Sequence, residues 1–583
     1  MNATHIQAIA RRSASLYAVV LFVCLVVVVR LFQLQVLQHD YYSDLALAEH
    51  EAKFTIPAAR GTIYALDGES QVPLVLNEVR PTVYLDPQGI EDEKNEEVAA
   101  QLSELLSIER GEIIQKLEMN ESRYQVVKKQ VDLDVANKIR EQGISGVGIA
   151  DESYRVYPQG NLGAQTLGFV NDEGSGQYGL EEFLNSDLSG VDGRYEAVTD
   201  VHGIPLSTSE QTVIEAPQEG QDVTLTIDVN IQRFVEDALA KGVKESQGKS
   251  GSAVVIDPNT GAILAMANFP TYDPAKFADQ KDFSLFFNDV VSSPYETGSG
   301  MKVLTMAAAI NEGAVSKTST FYDSGSITID DRVIENAGGG GGERSMAEVI
   351  QFSVNTGVVY ALQQIGAGEI NLQAKSVLYE YFTKKFGFGA PTGIAQANEA
   401  GGLIYSPQDV EGNNVRYVNM TFGQGLTVTM MQMVAAVSSI VNGGDYYQPY
   451  LVGSTTTESG TSMNQPSIIR PDLISDKTSA DMREMMEGVV LGGGGRVALR
   501  EGYTIGGKTG TAQVLDETTG EYSDEREIGS FIGFGGSSSP EYVIMTRVDE
   551  PKIPGYAGTV AAAPIFADIS NFMIDYYQIP PKQ

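Results

Sequence analysis

The stretch from Tyr295 to Ile310 constrains the fold of this chain more than any other, because it joins a polar pair to an apolar run. Val303 and the seven residues after it are apolar except for Thr305, rich in alanine and free of glycine and proline, which predicts a buried helix. Ser299 then lies near the start of that helix, and Lys302 follows one turn later on the same face. A buried amine can be neutral and accept the proton of a nearby hydroxyl. Alone, the Ser-x-x-Lys pair is a weak signal.

Two further motifs accompany that pair. Ser353-Val354-Asn355 follows a segment, 346–352, that has the pattern of a helix, and Lys508-Thr509-Gly510-Thr511 lies inside the predicted strand 503–514. Each motif is weak by itself. Together and in this order they resemble the three motifs of the penicillin-recognising serine enzymes, which include the penicillin-binding proteins and class A β-lactamases.

The residue types suit acyl transfer, which needs a nucleophile, a base, oxyanion donors and a group that holds the substrate. No histidine follows position 202, so a Ser-His-Asp arrangement at Ser299 is excluded and a lysine base remains. Ser353 can relay a proton and Asn355 can supply side-chain hydrogen bonds. Lys508 offers a cation for a substrate carboxylate. The backbone N–H groups of Ser299 and Thr511 can face the oxyanion.

The segment 502–509 also fits the phosphate-binding pattern G-x-x-x-x-G-K-T. Such a loop needs a strand before it and a helix after it. Here Gly510 and a strand-like sequence follow, so we reject this alternative. The glycine runs 338–342 and 492–495 are predicted to be flexible surface loops without a chemical role.

The N-terminal region contains an unbroken apolar run from Leu16 to Val29, and apolar residues resume after Arg30. If Arg30 extends toward the headgroups, the span reaches the roughly 20 residues that a membrane helix requires. Arg11 and Arg12 precede the run, which predicts a cytoplasmic N-terminus and an extracytoplasmic main body. A cleaved signal peptide is the alternative, but its small-residue site, Ala46-Leu47-Ala48, lies too far from the run.

The net charge and the cysteine count exclude some classes of partner and site. Net charge is −36, which argues against a nucleic-acid partner. The single cysteine, Cys24, excludes an intrachain disulfide and a multi-thiolate zinc site. Strand patterns at both ends of the region after about Pro217, with helical patterns between them, predict an α+β domain with one sheet.

Segments outside the three motifs extend the resemblance to the class B penicillin-binding proteins, which are monofunctional peptidoglycan D,D-transpeptidases. Segments 30–36, 60–64, 155–158 and 179–181 are similar to that family's anchor and N-terminal pedestal, and 386–389, 392–394 and 422–425 to its transpeptidase domain. The resemblance implies a cytoplasmic tail (1–15), a transmembrane anchor (16–37), a pedestal or dimerisation domain (38–217) and a transpeptidase domain (218–583). For that last domain it implies a five-stranded antiparallel sheet flanked by helices.

By this resemblance Ser299 forms an acyl-enzyme with a stem peptide and reacts with β-lactams. Lys302 is the base, Ser353 and Asn355 form the relay, and Lys508, Thr509, Gly510 and Thr511 contact the substrate. No metal or cofactor is implied. A D,D-carboxypeptidase or β-lactamase, and a non-catalytic β-lactam sensor or scaffold, remain alternatives.

The resemblance further implies a single-pass protein of the plasma membrane that acts in cell-wall synthesis, with a leaning toward division. Because the chain shows no glycan polymerase domain, we expect a partner polymerase of the multi-spanning shape, elongation, division and sporulation group. Around Ser299, Thr297 stands where the family usually has proline, and Gly300 where it has threonine; residues 65–68, Ala-Leu-Asp-Gly, also replace the usual Asp-Arg-Asn-Gly.

Overall fold

The computed structural model describes residues 3–42, 51–198, 212–409, 413–515 and 522–582. These residues divide into two compact units. One combines Met1–Ala59 with Gly190–Gly220, and the other combines Arg60–Ser189 with Gln221–Gln583.

The first unit contains the apolar helix. Ala3–Phe32 is α-helical and continues as one π-helical turn, Gln33–Leu37. Within it, Ala14–Leu37 comprises 24 residues with a mean hydropathy of 2.7, none of them buried, and is long and apolar enough to cross a membrane. The predicted span 16–37 falls inside this segment. The alternative cleavage site at 46–48 lies outside the described residues.

The same unit holds a three-stranded antiparallel sheet. Its outer strands both pair with the middle one, and the rings of Phe54 and Tyr195 stack across two of them with centroids 5.2 Å apart. The strands are Glu51–Ile56, Gly193–Val198 and Thr212–Glu215.

In the second unit, a seven-stranded sheet joins segments from both sides of the predicted domain boundary at 217/218. Asp222–Asp228 pairs in parallel with Ile63–Asp67 and antiparallel with Val452–Thr457. The other strands of this sheet are Ser70–Leu85, Gln125–Lys128, Val147–Val156 and Gly460–Met463. Three helices cover part of it: Asn95–Leu106, Arg110–Leu117 and Leu133–Gln142. Val98, Leu102 and Leu106 of the first helix are buried in one cluster with Val83 and Leu85 of the sheet.

Three of the family-like segments meet at one buried carboxylate, that of Glu181. Arg60 Nη2 lies 2.5 Å and Arg155 Nη2 2.8 Å from its two oxygens. Glu181 is fully buried and both arginines nearly so, and Asn185 accepts a hydrogen bond from Arg60 at 3.0 Å. A buried charge is costly unless ion pairs or hydrogen bonds compensate it. Removing either arginine would leave the negative charge of Glu181 with only one ion-pair partner. The two arginines therefore link these distant segments through Glu181.

The main sheet of the second unit has five antiparallel strands. Numbered along the chain, they are β1 (Ser250–Ile256), β2 (Ile263–Phe269), β3 (Thr504–Leu515), β4 (Tyr522–Gly536) and β5 (Pro540–Asp549). Their spatial order is β2-β1-β5-β4-β3, which confirms the predicted fold class. The long strand β4 pairs with β3 on one side and β5 on the other.

Alternating side chains of this sheet enter two cores. Ala253 and Val255 of β1 face a core formed with the helices Val229–Glu245 and Ala563–Tyr576. Val254 and Ile256 face the larger core, which contains the helical region around Ser299. Strands with apolar residues on both faces are expected where both faces are covered. Asp228 caps the helix Val229–Glu245, since its carboxylate accepts from two backbone N–H groups.

The helices of the larger core include Met301–Asn311, Met346–Gln351, Asn355–Ile365, Leu372–Glu380, Asn414–Thr421, Met430–Val441 and Asp476–Gly492. Two short hairpin-like pairs lie between the first two: Thr320–Asp323 with Gly342–Ser345, and Ser326–Ile329 with Arg332–Glu335.

Candidate active site

Ser299 lies in a 3-10 turn, Gly298–Gly300, that leads directly into the helix Met301–Asn311. The first ten residues of the helix are all buried, as its apolar sequence predicts. Ser299 itself is only partly buried, and its side chain lines a cavity of about 770 Å³. Its hydroxyl has no hydrogen-bond partner among the described residues. The turn therefore presents the Ser299 hydroxyl to the cavity at the start of a buried helix.

Three glycines hold this turn against its neighbours. Gly298 has φ +55°, and a Cβ there would overlap the carbonyl oxygen of Thr511. A Cβ on Gly423 would overlap the carbonyl oxygen of Gly298, and one on Gly510 would lie 2.5 Å from that of Thr297. The backbones of β3, the turn and the segment 422–425 can approach this closely only because these positions lack side chains. Gly510 of the Lys-Thr-Gly motif is one of them.

Lys302 is fully buried behind Ser299 and reaches the second motif. Its Nζ lies 2.6 Å from the carbonyl oxygen of Ser353 and 3.1 Å from its Oγ. Burial, followed by the nearby charge of Lys508, lowers the pKa of Lys302 well below its ordinary value. Ser353 has φ +60°, a conformation that is rare for residues with a side chain and concentrates at functional sites. The sequence spacing did not reveal this backbone strain.

Asn355 begins the helix Asn355–Ile365, and its Nδ2 donates to the carbonyl oxygen of Glu335 at 2.7 Å. A buried carboxylate supports the next residue: Asp323 accepts from Thr356 at 2.8 Å and from Asn336 at 2.9 Å. Desolvation opposes ionisation of Asp323, but hydrogen bonds from the Gly325 N–H, Thr356, Asn336 and Arg344 together outweigh it and lower its pKa. The hydrogen-bonded carboxylate of Asp323 therefore holds Thr356, and with it the second motif, in position.

The side chains of the Lys-Thr-Gly-Thr motif lie on both faces of strand β3, and only one face borders the cavity. Lys508 is buried, does not line the cavity, and its Nζ donates to the carbonyl oxygen of Thr509 at 3.1 Å and, more weakly, to its Oγ1 at 3.4 Å. Burial lowers the pKa of Lys508 to about 7. Thr509 and Thr511 point into the cavity, and Thr511 Oγ1 accepts from the N–H of Gly558 at 3.2 Å. Any effect of Lys508 on a cavity-bound carboxylate would thus act from behind Thr509.

The structure brings all eight predicted site residues together. Five of them line the cavity: Ser299, Ser353, Asn355, Thr509 and Thr511. The remaining three, Lys302, Lys508 and Gly510, are buried next to it. The phosphate-loop alternative is wrong, because the residues after Lys508 and Thr509 continue as strand β3 instead of starting a helix.

Sequence reasoning missed other parts of the site. Both glycine runs contribute to the cavity wall, through residues 338–339 and 492–494, a position that the prediction of surface loops did not include. Glu296, three residues before Ser299, accepts from the N–H of Gly425 at 2.8 Å and from the hydroxyl of Tyr522 at 3.0 Å. Only the position of Glu296 next to the first motif offered a signal for this contact.

Comparison with known proteins agrees with this geometry. The family described as penicillin binding protein transpeptidase domain matches residues 251–571, and the penicillin-binding protein dimerisation domain matches 55–225. Stage V sporulation protein D of Bacillus subtilis is 32% identical over 97% of this chain and 86% of its own length. The probable peptidoglycan D,D-transpeptidase PenA of Neisseria gonorrhoeae is 27% identical over 97% and 92%.

A solved structure is similar in fold as well as in sequence. Penicillin binding protein 3 from Mycobacterium tuberculosis, complexed with aztreonam, superposes with a TM-score of 0.69 at 26% identity, covering 91% of this chain and 98% of that one. The transpeptidase match alone spans more than half of the chain, and it contains all three motifs that converge on the cavity. The chain thus belongs to the class B penicillin-binding proteins, the peptidoglycan D,D-transpeptidases of bacterial cell-wall synthesis.

Proposed function

We propose that this protein cross-links peptidoglycan through an acyl-enzyme on Ser299. Ser299 Oγ attacks the carbonyl carbon of the penultimate D-Ala of a donor stem peptide. The peptide bond to the terminal D-Ala breaks, and that D-Ala leaves as the free amino acid. An amine of a neighbouring stem peptide then attacks the ester, forms the cross-link and returns the proton to Ser299. The observation that carries this proposal is the buried Lys302–Ser353 contact directly behind a cavity-facing serine.

Lys302 acts as the general base toward Ser299. Its lowered pKa supports this role, because only a neutral amine has a free electron pair at physiological pH. Ser353, within hydrogen-bond distance of that amine, passes the proton to the leaving amino group, and the Asn355 amide adjoins the bound peptide. The absence of a Ser299–Lys302 hydrogen bond among the described residues is compatible with this role, since catalytic hydrogen bonds often tighten only when substrate binds.

The Lys508 motif binds the donor. Thr509 holds the terminal carboxylate, Thr511 lies beside the carbonyl that reacts, and Lys508 supplies positive charge from behind the strand. The backbone N–H groups of Ser299 and Thr511 stabilise the oxyanion, a contribution that in other acyl-transfer enzymes is worth about 3–4 kcal/mol per donor. The role of Gly510 is to let β3 approach the Ser299 turn.

Labelled penicillin tests the nucleophile. We expect one adduct on Ser299, located by mass spectrometry of the protein after proteolysis, and none in a folded Ser299→Ala variant. An adduct on another residue would contradict the proposal. The aztreonam complex of the similar M. tuberculosis protein supports β-lactams as suitable probes.

A donor peptide with an acceptor amine distinguishes transpeptidation from the alternatives. A transpeptidase yields the cross-linked product, whereas a carboxypeptidase yields only the hydrolysed donor. A sensor or scaffold would form the β-lactam adduct but turn over neither donor nor acceptor.

We further propose that residues 16–37 anchor the protein in the plasma membrane with residues 1–15 in the cytoplasm. Residues 38–217 then form the pedestal and 218–583 the extracytoplasmic transpeptidase domain. Arg11 and Arg12 before the span support this orientation. The family resemblance supports a multi-spanning glycan polymerase as partner, and a role in division rather than elongation.

A further inference from the structure

The cavity beside Ser299 contains a charged side chain that the proposed mechanism does not use. Among the described residues, two charged side chains line the cavity, those of Arg344 and Glu527. Arg344 is committed elsewhere: its Nε donates to Asp323 at 3.2 Å, and its guanidinium lies over the ring of Phe352. Glu527 is half-buried, and its carboxylate has no hydrogen bond or ion pair to any described residue. It is therefore the one uncommitted charge of the described cavity wall.

Strand register fixes the position of Glu527 relative to the site. It lies on β4 directly opposite Gln513 of β3. Gln513 follows Thr509 and Thr511 on the same face of β3, at intervals of two residues, and all three line the cavity. Two residues of strand span about 6.7 Å. Glu527 thus lies one such step beyond Thr511, on the side away from Thr509.

The proposed function gives the donor peptide a direction along this strand, and the role of Glu527 rests on that function. The terminal carboxylate lies at Thr509, and the carbonyl that reacts lies between Ser299 and the N–H of Thr511. The preceding part of the donor must then extend past Thr511 toward Gln513. An extended peptide advances about 3.3 Å per residue, so the residue before D-Ala-D-Ala reaches the level of Gln513 and Glu527.

We propose that Glu527 is a specificity-determining residue that binds an ammonium group on the side chain of the donor residue preceding D-Ala-D-Ala. The ligand is chemically a primary amine, which donates charge-assisted hydrogen bonds to a carboxylate. The half-buried setting makes such a pair stronger than one on an open surface, where the contribution is small. A solvated carboxylate without a ligand is the alternative.

Acylation by paired penicillins tests this assignment without any acceptor. One penicillin carries an acyl side chain that ends in a primary amine, and its partner carries the N-acetylated form. We expect the wild-type protein to be acylated about tenfold faster by the free amine, the effect of one charge-assisted hydrogen bond. Glu527→Gln should abolish the preference. Glu527→Lys should instead prefer a third derivative that ends in a carboxylate.

Two controls separate recognition from general damage. Benzylpenicillin lacks the amine, so its acylation rate measures the general effect of each folded Glu527 variant, and the amine preference is expressed relative to that rate. Glu501→Gln removes an equal charge from an exposed position outside the cavity and should retain the amine preference. Equal rates for both penicillins in the wild type, or an unchanged preference in Glu527→Gln, would overturn the assignment. Failure of every penicillin to acylate Ser299 would overturn the proposed function itself.

Discussion

The amine of Lys302 lies 3.1 Å from the hydroxyl of Ser353, although 51 residues separate them along the chain. The same amine lies 2.6 Å from the carbonyl oxygen of Ser353, so two contacts fix its position. Among the described residues no acidic partner compensates its charge: its lowered pKa arises from burial and from Lys508. A lysine in this setting is suited to accept a proton, whereas one paired with a carboxylate would remain charged.

Replacing Lys302 with arginine should therefore lower acylation of Ser299 by several orders of magnitude. Arginine preserves positive charge but cannot become a neutral base. The measurement is the second-order rate constant for a labelled penicillin, with thermal unfolding to verify that the variant folds. Near-normal acylation would show that Lys302 acts only through its charge.

The pH dependence of acylation should be bell-shaped, with its two limbs belonging to the two buried lysines. On the acid side the rate should rise with pH as Lys302 loses its proton, because the neutral amine is the active form. On the alkaline side it should fall above about pH 7, because Lys508 loses the charge that attracts the substrate carboxylate. The rate constant measured at low penicillin concentration reports these groups in the free enzyme. In Lys508→Arg the alkaline limb should disappear; if it persists unchanged, another group is responsible.

Two glycines of the first motif should respond to alanine in opposite ways. At Gly298 an alanine would have φ +55° and overlap the backbone of Thr511, so we expect a loss of about 2 kcal/mol or more in unfolding free energy and little acylation. Gly300 has helical φ −57° and ψ −36°, and its Cβ would meet only Met433 at 3.7 Å. Gly300→Ala should raise the free energy of unfolding by about 0.5–1 kcal/mol. Chemical denaturation checks both, and destabilisation of Gly300→Ala would contradict the argument.

The sequence could predict local elements and motifs of the site, but not the tertiary contacts that constrain Gly298. The helix after Ser299 and the strand around Lys508 follow from local sequence patterns, the five-stranded sheet follows from the family resemblance, and the three motifs selected residues that the structure brings to one cavity. The close approach of Gly423 to Gly298 could not be predicted, because it joins segments more than 120 residues apart and involves only backbone. The strained φ of Ser353 likewise depends on tertiary contacts that no local pattern encodes.

Exchanging the anchor tests whether residues 16–37 do more than tether the protein. A foreign single-pass helix with the same cytoplasmic flank should preserve topology and membrane attachment. If the native helix contacts a glycan polymerase, co-purification of the polymerase should weaken and peptidoglycan cross-linking in cells should fall. Penicillin labelling of Ser299 should be unchanged, since the site is built from residues after 290. Full co-purification and full cross-linking after the exchange would restrict the contact to other regions, of which the pedestal is the first to test.

The hydroxyl of Tyr522 joins the start of β4 to Glu296, only three residues before Ser299. It lies 3.0 and 3.1 Å from the two carboxylate oxygens, one of which also accepts from the N–H of Gly425. Tyr522→Phe leaves the ring in place but removes this donor. Because Tyr522 is 41% exposed, we expect this variant to lose only about 1 kcal/mol of unfolding free energy. Its acylation rate should fall about threefold to tenfold.

The matched control is Tyr577→Phe, which removes a hydroxyl of similar exposure, 43%, outside the cavity. It should leave acylation unchanged. The rate should also depend on the partner carboxylate, so that Glu296→Gln, which still accepts a hydrogen bond, retains more activity than Glu296→Ala. If Tyr522→Phe is acylated as fast as wild type, the contact serves only the local structure of β4. A reduced acylation rate under conditions in which the variant is fully folded would instead identify Tyr522 as a positioning residue, acting on Ser299 through Glu296.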